Sequence, residues 1–136
     1  MTAKANLTLT SERRSWPSSV KLRLREHPQP LAVAHIAKTF WSRFVGLLGR
    51  RRLPEGEGLL FVPGGSIHTL AMRFPIDVVF IDANLTVLRI SRDVSPWRFV
   101  LAPRRTRFVL ELNGGALRDI PIRARYRLAF ECEHRS

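Results

Sequence analysis

Residues 76–82 form the most apolar stretch of the chain, with a hydrophobic side chain at every position from Ile76 to Ile81 except Asp77. Side chains alternate between the two faces of a strand, and a strand that is apolar on both faces is normally covered on both sides. The pattern therefore predicts a strand in the middle of the fold. It also places the carboxylate of Asp77 on an apolar face, where it needs hydrogen-bond partners.

Shorter apolar runs elsewhere in the chain predict further strands. They cover residues 31–37, 59–62, 85–91, 107–112 and 126–133. The dipeptide Ala83-Asn84 predicts a hairpin turn after residue 82. In the run 107–112 the even-numbered apolar residues point inward, and Glu111 has the opposite phase beside Val109.

One segment follows the helical rather than the strand period. Phe40, Phe44 and the pair Leu47-Leu48 recur at the spacing of a core-facing helical stripe, and Thr39 is a suitable N-cap. Arg43 lies in the middle of this predicted helix. Several short strands and one helix predict a mostly β fold of the α+β class, a small barrel-like or rolled sheet, mixed or antiparallel, with one main helix packed on it.

Prolines and basic residues set the first 30 residues apart. Residues 1–30 predict a flexible basic leader, and residues 31–136 predict a single β-rich globular domain. Within the leader, Val20 to Arg25 alternates with period two, which leaves open an edge strand or a segment lying on an anionic surface. No apolar run has the length of a membrane span or of a secretory signal, so we expect a cytoplasmic protein.

Charge and cysteine content narrow the expected partners. The chain has 23 Lys and Arg against 11 Asp and Glu, a net charge of +12, which favours weak contact with anionic surfaces. No nucleic-acid reader motif accompanies the charge, so no specific nucleic-acid partner is expected. The single cysteine, Cys132, is in phase with Leu128 and Phe130, which predicts a buried, unreactive thiol. The four histidines show no metal-ligand spacing, so neither a metal nor a cofactor is expected.

The order of motifs resembles the domain of unknown function 192. The resemblance covers about residues 34–130 and rests on four blocks. These are Arg43-x-x-Gly46-Leu47-Leu48-x-Arg50, Gly58-Leu59-Leu60-Phe61, the block from Ile67-His68-Thr69 to Met72-Arg73-Phe74-Pro75-Ile76-Asp77, and Val109-Leu110-Glu111-Leu112 with Gly115. It implies a small β-rich domain of bacteria and archaea without an established activity, some of whose relatives are exported. The chain departs from the family at Ala124-Arg125, where a Gly-Asp turn is usual, and at Asn113, where proline is common.

The candidate site residues are polar or large side chains near the central stretch. They are Arg43, His68, Met72, Arg73, Phe74, Asp77 and Glu111. One interpretation is a structural network that ties Arg43, Asp77 and Glu111 together. A second is a non-catalytic accessory domain with a polar cluster and an apolar groove around residues 64–77, which binds an unknown protein or a small anionic ligand.

The third interpretation is an enzyme. His68 would be a general base oriented by Asp77, with Arg43 or Arg73 clamping an anionic substrate. No nucleophile is tied to this pair by a known motif, so the non-catalytic interpretations are favoured. Trp97 and Phe99 lie in a predicted loop, as expected of an interface.

Two glycines precede the central stretch. Gly64-Gly65 permits a close approach of backbone to a neighbouring element, but it lacks the spacing of a phosphate-binding loop.

Overall fold

The computed structural model describes residues 19–27, 29–37 and 52–131. The predicted helix over residues 40–48, together with Arg43, lies outside these residues, and so does Cys132. The described part of the chain is all β and contains no helix. Its strands are β1 Ser19–Leu24, β2 Pro30–Ala37, β3 Glu57–Phe61, β4 Ile67–His68, β5 Ile76–Ile81, β6 Val87–Val94, β7 Phe99–Val100, β8 Phe108–Asn113 and β9 Leu128–Glu131.

Seven of these strands form one curled, mixed sheet in the order β6-β5-β8-β3-β2-β1-β9. The pair β2–β3 is parallel, and the other neighbours in the order are antiparallel. The remaining strands, β4 and β7, pair with each other in a separate two-stranded sheet. The architecture is a half-barrel, which agrees with the predicted rolled, mixed sheet.

Strand β5 is the interior strand that its apolar pattern predicts. All six residues from Ile76 to Ile81 are buried, and the strand pairs with β6 on one side and β8 on the other. The turn into β6 is organised by Asp82, whose Oδ1 accepts hydrogen bonds from the backbone N–H groups of Asn84 and Thr86 at 2.8 and 2.9 Å. The predicted hairpin between β5 and β6 is therefore confirmed.

Strand β1 lies inside the segment predicted to be a leader. It pairs with β2 on one side and β9 on the other, and Val20, Leu22 and Leu24 are buried in the core. Residues 19–24, which composition placed in the flexible leader, are instead a strand of the sheet. The period-two alternation of this segment belongs to an interior strand, because two flanking strands satisfy its backbone groups.

The two edge strands of the sheet come together at one end. Thr86, beside the start of β6, forms an isolated antiparallel bridge with Arg127, beside the start of β9. Three backbone hydrogen bonds reinforce it, because Val87 and Leu128 donate to the carbonyls of Tyr126 and Leu85, and Arg125 donates to that of Val87. This contact curls the sheet toward closure and shields part of each edge.

The two faces of the sheet bury separate apolar layers. The first layer is centred on Leu22, Leu60, Val79, Leu110 and Leu117. The second is centred on Phe61, Ile67, Ile76, Phe80 and Val109. Coverage of both faces explains why β5 and β8 carry apolar residues at almost every position.

Two connections hold the loops against β8. Asn113 binds Leu53 twice, its Oδ1 accepting from the Leu53 N–H at 2.7 Å and its Nδ2 donating to the Leu53 carbonyl at 2.8 Å. Gly64 lies so close to β8 that a Cβ atom on it would be 2.6 Å from the backbone nitrogen of Val109. The close backbone approach predicted for the glycine pair is thus confirmed at Gly64.

Candidate functional site

Asp77 is held by backbone donors from two loops. Its Oδ1 accepts from the N–H groups of Asp93 at 2.9 Å and Gly115 at 3.2 Å, and its Oδ2 accepts from the N–H of Leu117 at 3.1 Å. The residue is 1% exposed. The prediction that this carboxylate requires several hydrogen-bond partners is confirmed, and the donors are main-chain amides.

The geometry of these donors follows from the local backbone. Asp93 has φ 49 and Gly115 has φ 86, so both adopt the left-handed conformation that turns an N–H toward a common point. Asp77 therefore joins the end of β6 to the turn that follows β8. A buried carboxylate that accepts three main-chain hydrogen bonds is suited to fixing these loops together.

Glu111 is fully buried, but it belongs to the other face of the sheet. In the pairing of β5 with β8, Asp77 lies opposite Leu112, whereas Glu111 lies opposite Val78. Paired residues point to the same face, and successive residues point to opposite faces. The hypothesis of one network containing both carboxylates is therefore wrong for Asp77 and Glu111.

His68 and Arg73 are not among the donors to Asp77. His68 is half-buried in β4, where its ring lies 6.2 Å from the ring of Phe99 at an interplanar angle of 58°. Arg73 is exposed. The proposed orientation of a His68 base by Asp77 is thus absent from the hydrogen bonds of the described residues.

Met72 and Phe74, two predicted binding residues, are part of the second apolar layer. Both are buried there with Ile67. They fill the core, and so they do not line an open groove over residues 64–77 as predicted. A neighbouring residue of the same segment, which is not one of the predicted site residues, holds a loop of the surface in place.

That residue is Thr69, which is fully buried between β4 and the loop before β7. Its Oγ1 donates to the carbonyl of Ser95 at 2.7 Å and accepts from the N–H of Arg98 at 2.9 Å. Its backbone N–H donates to the carbonyl of Arg98, and its carbonyl accepts from the N–H of Trp97. Thr69 thus fixes the conformation of residues 95–98 with both its side chain and its main chain.

The loop that Thr69 fixes and strand β7, which follows it within the predicted loop, present an exposed apolar surface. Trp97, Phe99 and Leu101 are 68%, 72% and 75% exposed, and we call these three side chains the 97–101 surface. Trp97 has φ 65, an uncommon conformation for a non-glycine residue. Strain of this kind persists where the surrounding structure determines it, and here the hydrogen bonds of Thr69 do so.

Arginines surround the 97–101 surface in the chain. Arg98 is exposed within it, and Arg104 and Arg105 occupy the exposed corner of the turn Pro103–Thr106, which is closed by a hydrogen bond from the Thr106 N–H to the Pro103 carbonyl. Arg89 donates through Nη1 to the carbonyl of Leu101 at 3.2 Å. The region therefore combines large apolar side chains with a basic rim.

The remaining chemistry of the described residues is limited. Within residues 19–27, 29–37 and 52–131, no group of three His, Cys, Asp or Glu side chains is arranged to hold a metal ion. Over the same part of the chain, no helix is long and apolar enough to cross a membrane.

A comparison with family models decides the relationship of the chain. The model of the DUF192 family, described as an uncharacterised group, matches residues 21–130. The chain belongs to the DUF192 family. The matched range begins within β1, so it extends before the boundary at residue 31 expected from composition.

Archaeal relatives agree with this assignment. The UPF0127 protein PF1050 of Pyrococcus furiosus is 30% identical over 97 residues, which cover 68% of this chain and 81% of the relative. The UPF0127 protein PH1112 of Pyrococcus horikoshii is 31% identical over 81 residues, which cover 56% of this chain and 68% of the relative. Neither name states an activity.

Solved structures share the fold of this DUF192 member. A Sinorhizobium meliloti protein, described only as a candidate transcription regulator, superposes with a TM-score of 0.71 at 22% identity over 82% of this chain and 92% of that one. A Novosphingobium aromaticivorans protein of unknown function superposes with a TM-score of 0.69 at 23% identity over 81% and 84%. At these identities the likeness concerns the fold alone.

Proposed function

We propose that the chain is a non-catalytic binding domain that docks on an anionic membrane surface through the 97–101 surface. The observation that carries the proposal is the exposure of Trp97, Phe99 and Leu101, each more than two thirds accessible, on a loop of fixed conformation. Monomeric proteins rarely present several large apolar side chains together without an interaction partner. The function of this surface is to attach the domain to the membrane.

Rigidity supports docking through this loop. Because Thr69 makes hydrogen bonds to Ser95, Trp97 and Arg98, little conformational freedom remains to be lost when the surface is buried. Ordering a flexible loop opposes binding, so a loop that is already ordered binds more tightly.

The chemistry of the side chains favours a lipid surface. Tryptophan and phenylalanine partition into the interfacial region of a bilayer, where arginines contact anionic headgroups at about 1 kcal/mol for each basic residue. Full burial of each large apolar side chain contributes about 1.5–3 kcal/mol. Arg98, Arg104 and Arg105 supply the basic rim, and the net charge of +12 adds long-range attraction.

An exposed apolar surface of this kind fits a bilayer better than it fits a globular partner. The three side chains lie at alternate positions of one short segment, and they project into solvent. A protein partner would need a complementary pocket for each of them, whereas a lipid interface adapts its shape to the inserted groups. Hence we assign the membrane as the occupant.

The enzyme hypothesis has less support. Asp77 is engaged by three main-chain donors, so it is poorly placed to orient His68 as a general base. The ring of His68 instead lies beside that of Phe99, which supports the base of the 97–101 surface. In the proposed function His68 is a packing residue.

The proposal is tested by sedimenting the full chain with lipid vesicles. One set contains phosphatidylcholine alone, and the other contains about one third phosphatidylglycerol. We expect binding to the anionic vesicles that decreases with salt, since exposed charges are screened at high ionic strength. Replacing Trp97, Phe99 and Leu101 together by Ser is expected to reduce the partition coefficient by more than about tenfold, because the buried apolar area is lost.

A matched pair of charge variants completes the test. Arg104→Gln with Arg105→Gln removes two charges from the rim, and Arg118→Gln with Arg123→Gln removes two exposed charges elsewhere. The rim pair should weaken binding about tenfold and the control pair less than about threefold. Equal losses would show diffuse charge attraction and contradict the proposal. So would retained binding in the triple Ser variant, or no binding of the unaltered chain.

A further inference from the structure

A cleft of about 690 Å³ lies between the turn that joins β1 to β2 and the segment that leads into β9. Its lining residues are Leu24, Arg25, Glu26, His27, Ala124, Arg125, Tyr126 and Arg127. This volume is large enough to hold a small molecule. The cleft shares no residue with the 97–101 surface, so a ligand could occupy it whether or not the domain docks on a membrane.

Main-chain hydrogen bonds fix both walls of the cleft. The N–H of Arg25 donates to the carbonyl of Arg127 at 2.9 Å, which joins the two walls. The N–H of Arg125 donates to the carbonyl of Val87 at 2.7 Å, which anchors the second wall to β6. The cleft is thus part of the closure that brings the two edges of the sheet together.

The backbone of the second wall is strained. Arg125 has φ 76, the left-handed conformation that glycine adopts most readily. An arginine at such a position carries an energetic cost that a glycine would avoid. The cost is understandable if the guanidinium group itself is needed at this point of the cleft.

Three arginines give the cleft its charge. Arg25, Arg125 and Arg127 line it, and Glu26 is the one carboxylate among its described lining residues. Elsewhere among the described residues, Glu131 pairs with Arg23 and Glu57 pairs with His35, so neither of these carboxylates engages an arginine of the cleft. The three guanidinium groups can therefore bind an anion, and planar guanidinium donors match the geometry of phosphate oxygens.

One aromatic ring and two apolar side chains complete the lining. Tyr126 is partly exposed, and Leu24 and Ala124 are its apolar neighbours in the cleft. An aromatic face beside several cations suits a ligand that has a planar ring attached to an anionic group, because the ring stacks while the anion pairs with arginine.

We infer that this cleft binds a small phosphate ester that carries a planar ring, with Arg125 and Arg127 contacting the phosphate and Tyr126 the ring. Arg25 and His27 supply further donors from the opposite wall. The cleft is a ligand site on the closure of the half-barrel, and bound ligand would hold β1 and the segment before β9 together.

Titration calorimetry of the full chain with adenosine monophosphate tests the inference, with inorganic phosphate and adenosine as separate probes. Adenosine monophosphate should bind saturably and more tightly than either part. Arg125→Gln with Arg127→Gln should weaken its binding by at least about tenfold, the effect of losing charged hydrogen bonds. Tyr126→Ala should weaken adenosine monophosphate and leave inorganic phosphate unchanged.

The matched control is Arg118→Gln with Arg123→Gln, which removes the same charge at two exposed positions outside the lining. It should change the affinity by less than about threefold, since only screened long-range attraction is lost. Thermal melting of both pairs checks that each variant is folded. The inference would be overturned if the control variant bound adenosine monophosphate as weakly as the cleft variant does. It would also be overturned if adenosine monophosphate at millimolar concentration showed no saturable binding to the unaltered chain.

Discussion

Asp77 and Glu111 are buried on opposite faces of one sheet, although they lie on neighbouring strands and only one residue out of register. Asp77 points toward the layer that contains Leu112, and Glu111 points with Val78 into the other layer. The two carboxylates therefore have separate surroundings. Each carboxylate needs hydrogen-bond partners within its own layer, because burying a carboxylate without partners lowers the stability of the fold.

The first prediction concerns the donors to Asp77. Asp77→Asn replaces one carboxylate oxygen by an NH₂ group, which faces a main-chain N–H instead of accepting from it. We expect the free energy of unfolding to fall by about 1–3 kcal/mol, because a buried donor loses its acceptor. Urea denaturation measures the change.

Asp119→Asn is the control for this experiment, since Asp119 is exposed. It should alter stability by no more than about 0.5 kcal/mol. An Asp77→Asn variant as stable as the unaltered chain, or more so, would instead indicate a strained site that is kept for a ligand.

The second prediction concerns Thr69. Thr69→Val removes the hydroxyl that bridges Ser95 and Arg98, while the buried volume is almost unchanged. We expect a loss of about 1–3 kcal/mol and faster hydrogen exchange at the amides of Trp97 and Arg98. Thr69→Ser keeps the hydroxyl and should retain most of the protection. Equal exchange in all three proteins would show that the loop is held by other contacts.

The third prediction separates two adjacent glycines. A Cβ atom at position 64 would lie 2.6 Å from the Val109 nitrogen and 2.7 Å from the Phe108 carbonyl carbon. Among the described residues, no atom beyond the two chain neighbours comes within 4 Å of a Cβ at position 65. Gly64→Ala should cost about 1–3 kcal/mol, since backbone atoms must move. Gly65→Ala should be nearly neutral in the same urea titration. Similar values for the two variants would contradict the close approach at Gly64.

The fourth prediction compares two leucines. Leu22 is fully buried in β1, and Leu101 is 75% exposed. Leu22→Ala should lower the free energy of unfolding by about 2–5 kcal/mol, because it leaves a cavity in the first layer. Leu101→Ala should lower it by about 0.5 kcal/mol or less. A small effect at Leu22 would show that β1 contributes little to the core.

Local sequence patterns were sufficient to predict a strand where burial alone determines which residue types it carries. The apolar run from Ile76 to Ile81 predicts β5 as an interior strand, and the phases of β8 place Glu111 opposite to Leu110 and Leu112. In both cases each residue's position relative to the core determines its type. The interior position of β5 and the two faces of β8 could therefore be predicted from the sequence.

Long-range pairing could not be predicted in the same way. The charged residues Arg23 and Arg25 in and beside β1 indicated a surface segment, and only its partners β2 and β9 make it interior. The donors to Asp77 are 16 to 40 residues away in the chain. The sequence shows that a carboxylate on an apolar face needs partners, but it does not show which loops bring them.

Thr69 illustrates the same limit at the candidate site. Thr69 lies two residues from Ile67 and from Ala71, and a polar residue in such an apolar setting indicates a hydrogen-bonding role, as at Asp77. Its partners in residues 95–98 become apparent only when β4 and β7 pair. Trp97 and Phe99 were predicted to be interface residues from their type and from the predicted loop, whereas the hydrogen bonds that fix residues 95–98 could be found only in the structure.

The pairing of β1 with β9 bears on how the chain reaches its fold. The ion pair Arg23–Glu131 joins residues 108 positions apart, and β1 is flanked on one side by a strand that is synthesised last among those described. During translation, β1 leaves the ribosome long before its second neighbour exists. One edge of an amphipathic strand then stays open for most of synthesis, and contacts of such sequence separation form slowly. We therefore expect β1 to complete its pairing after the other described strands have formed. We also expect chaperones to bind the nascent chain more readily than the folded domain.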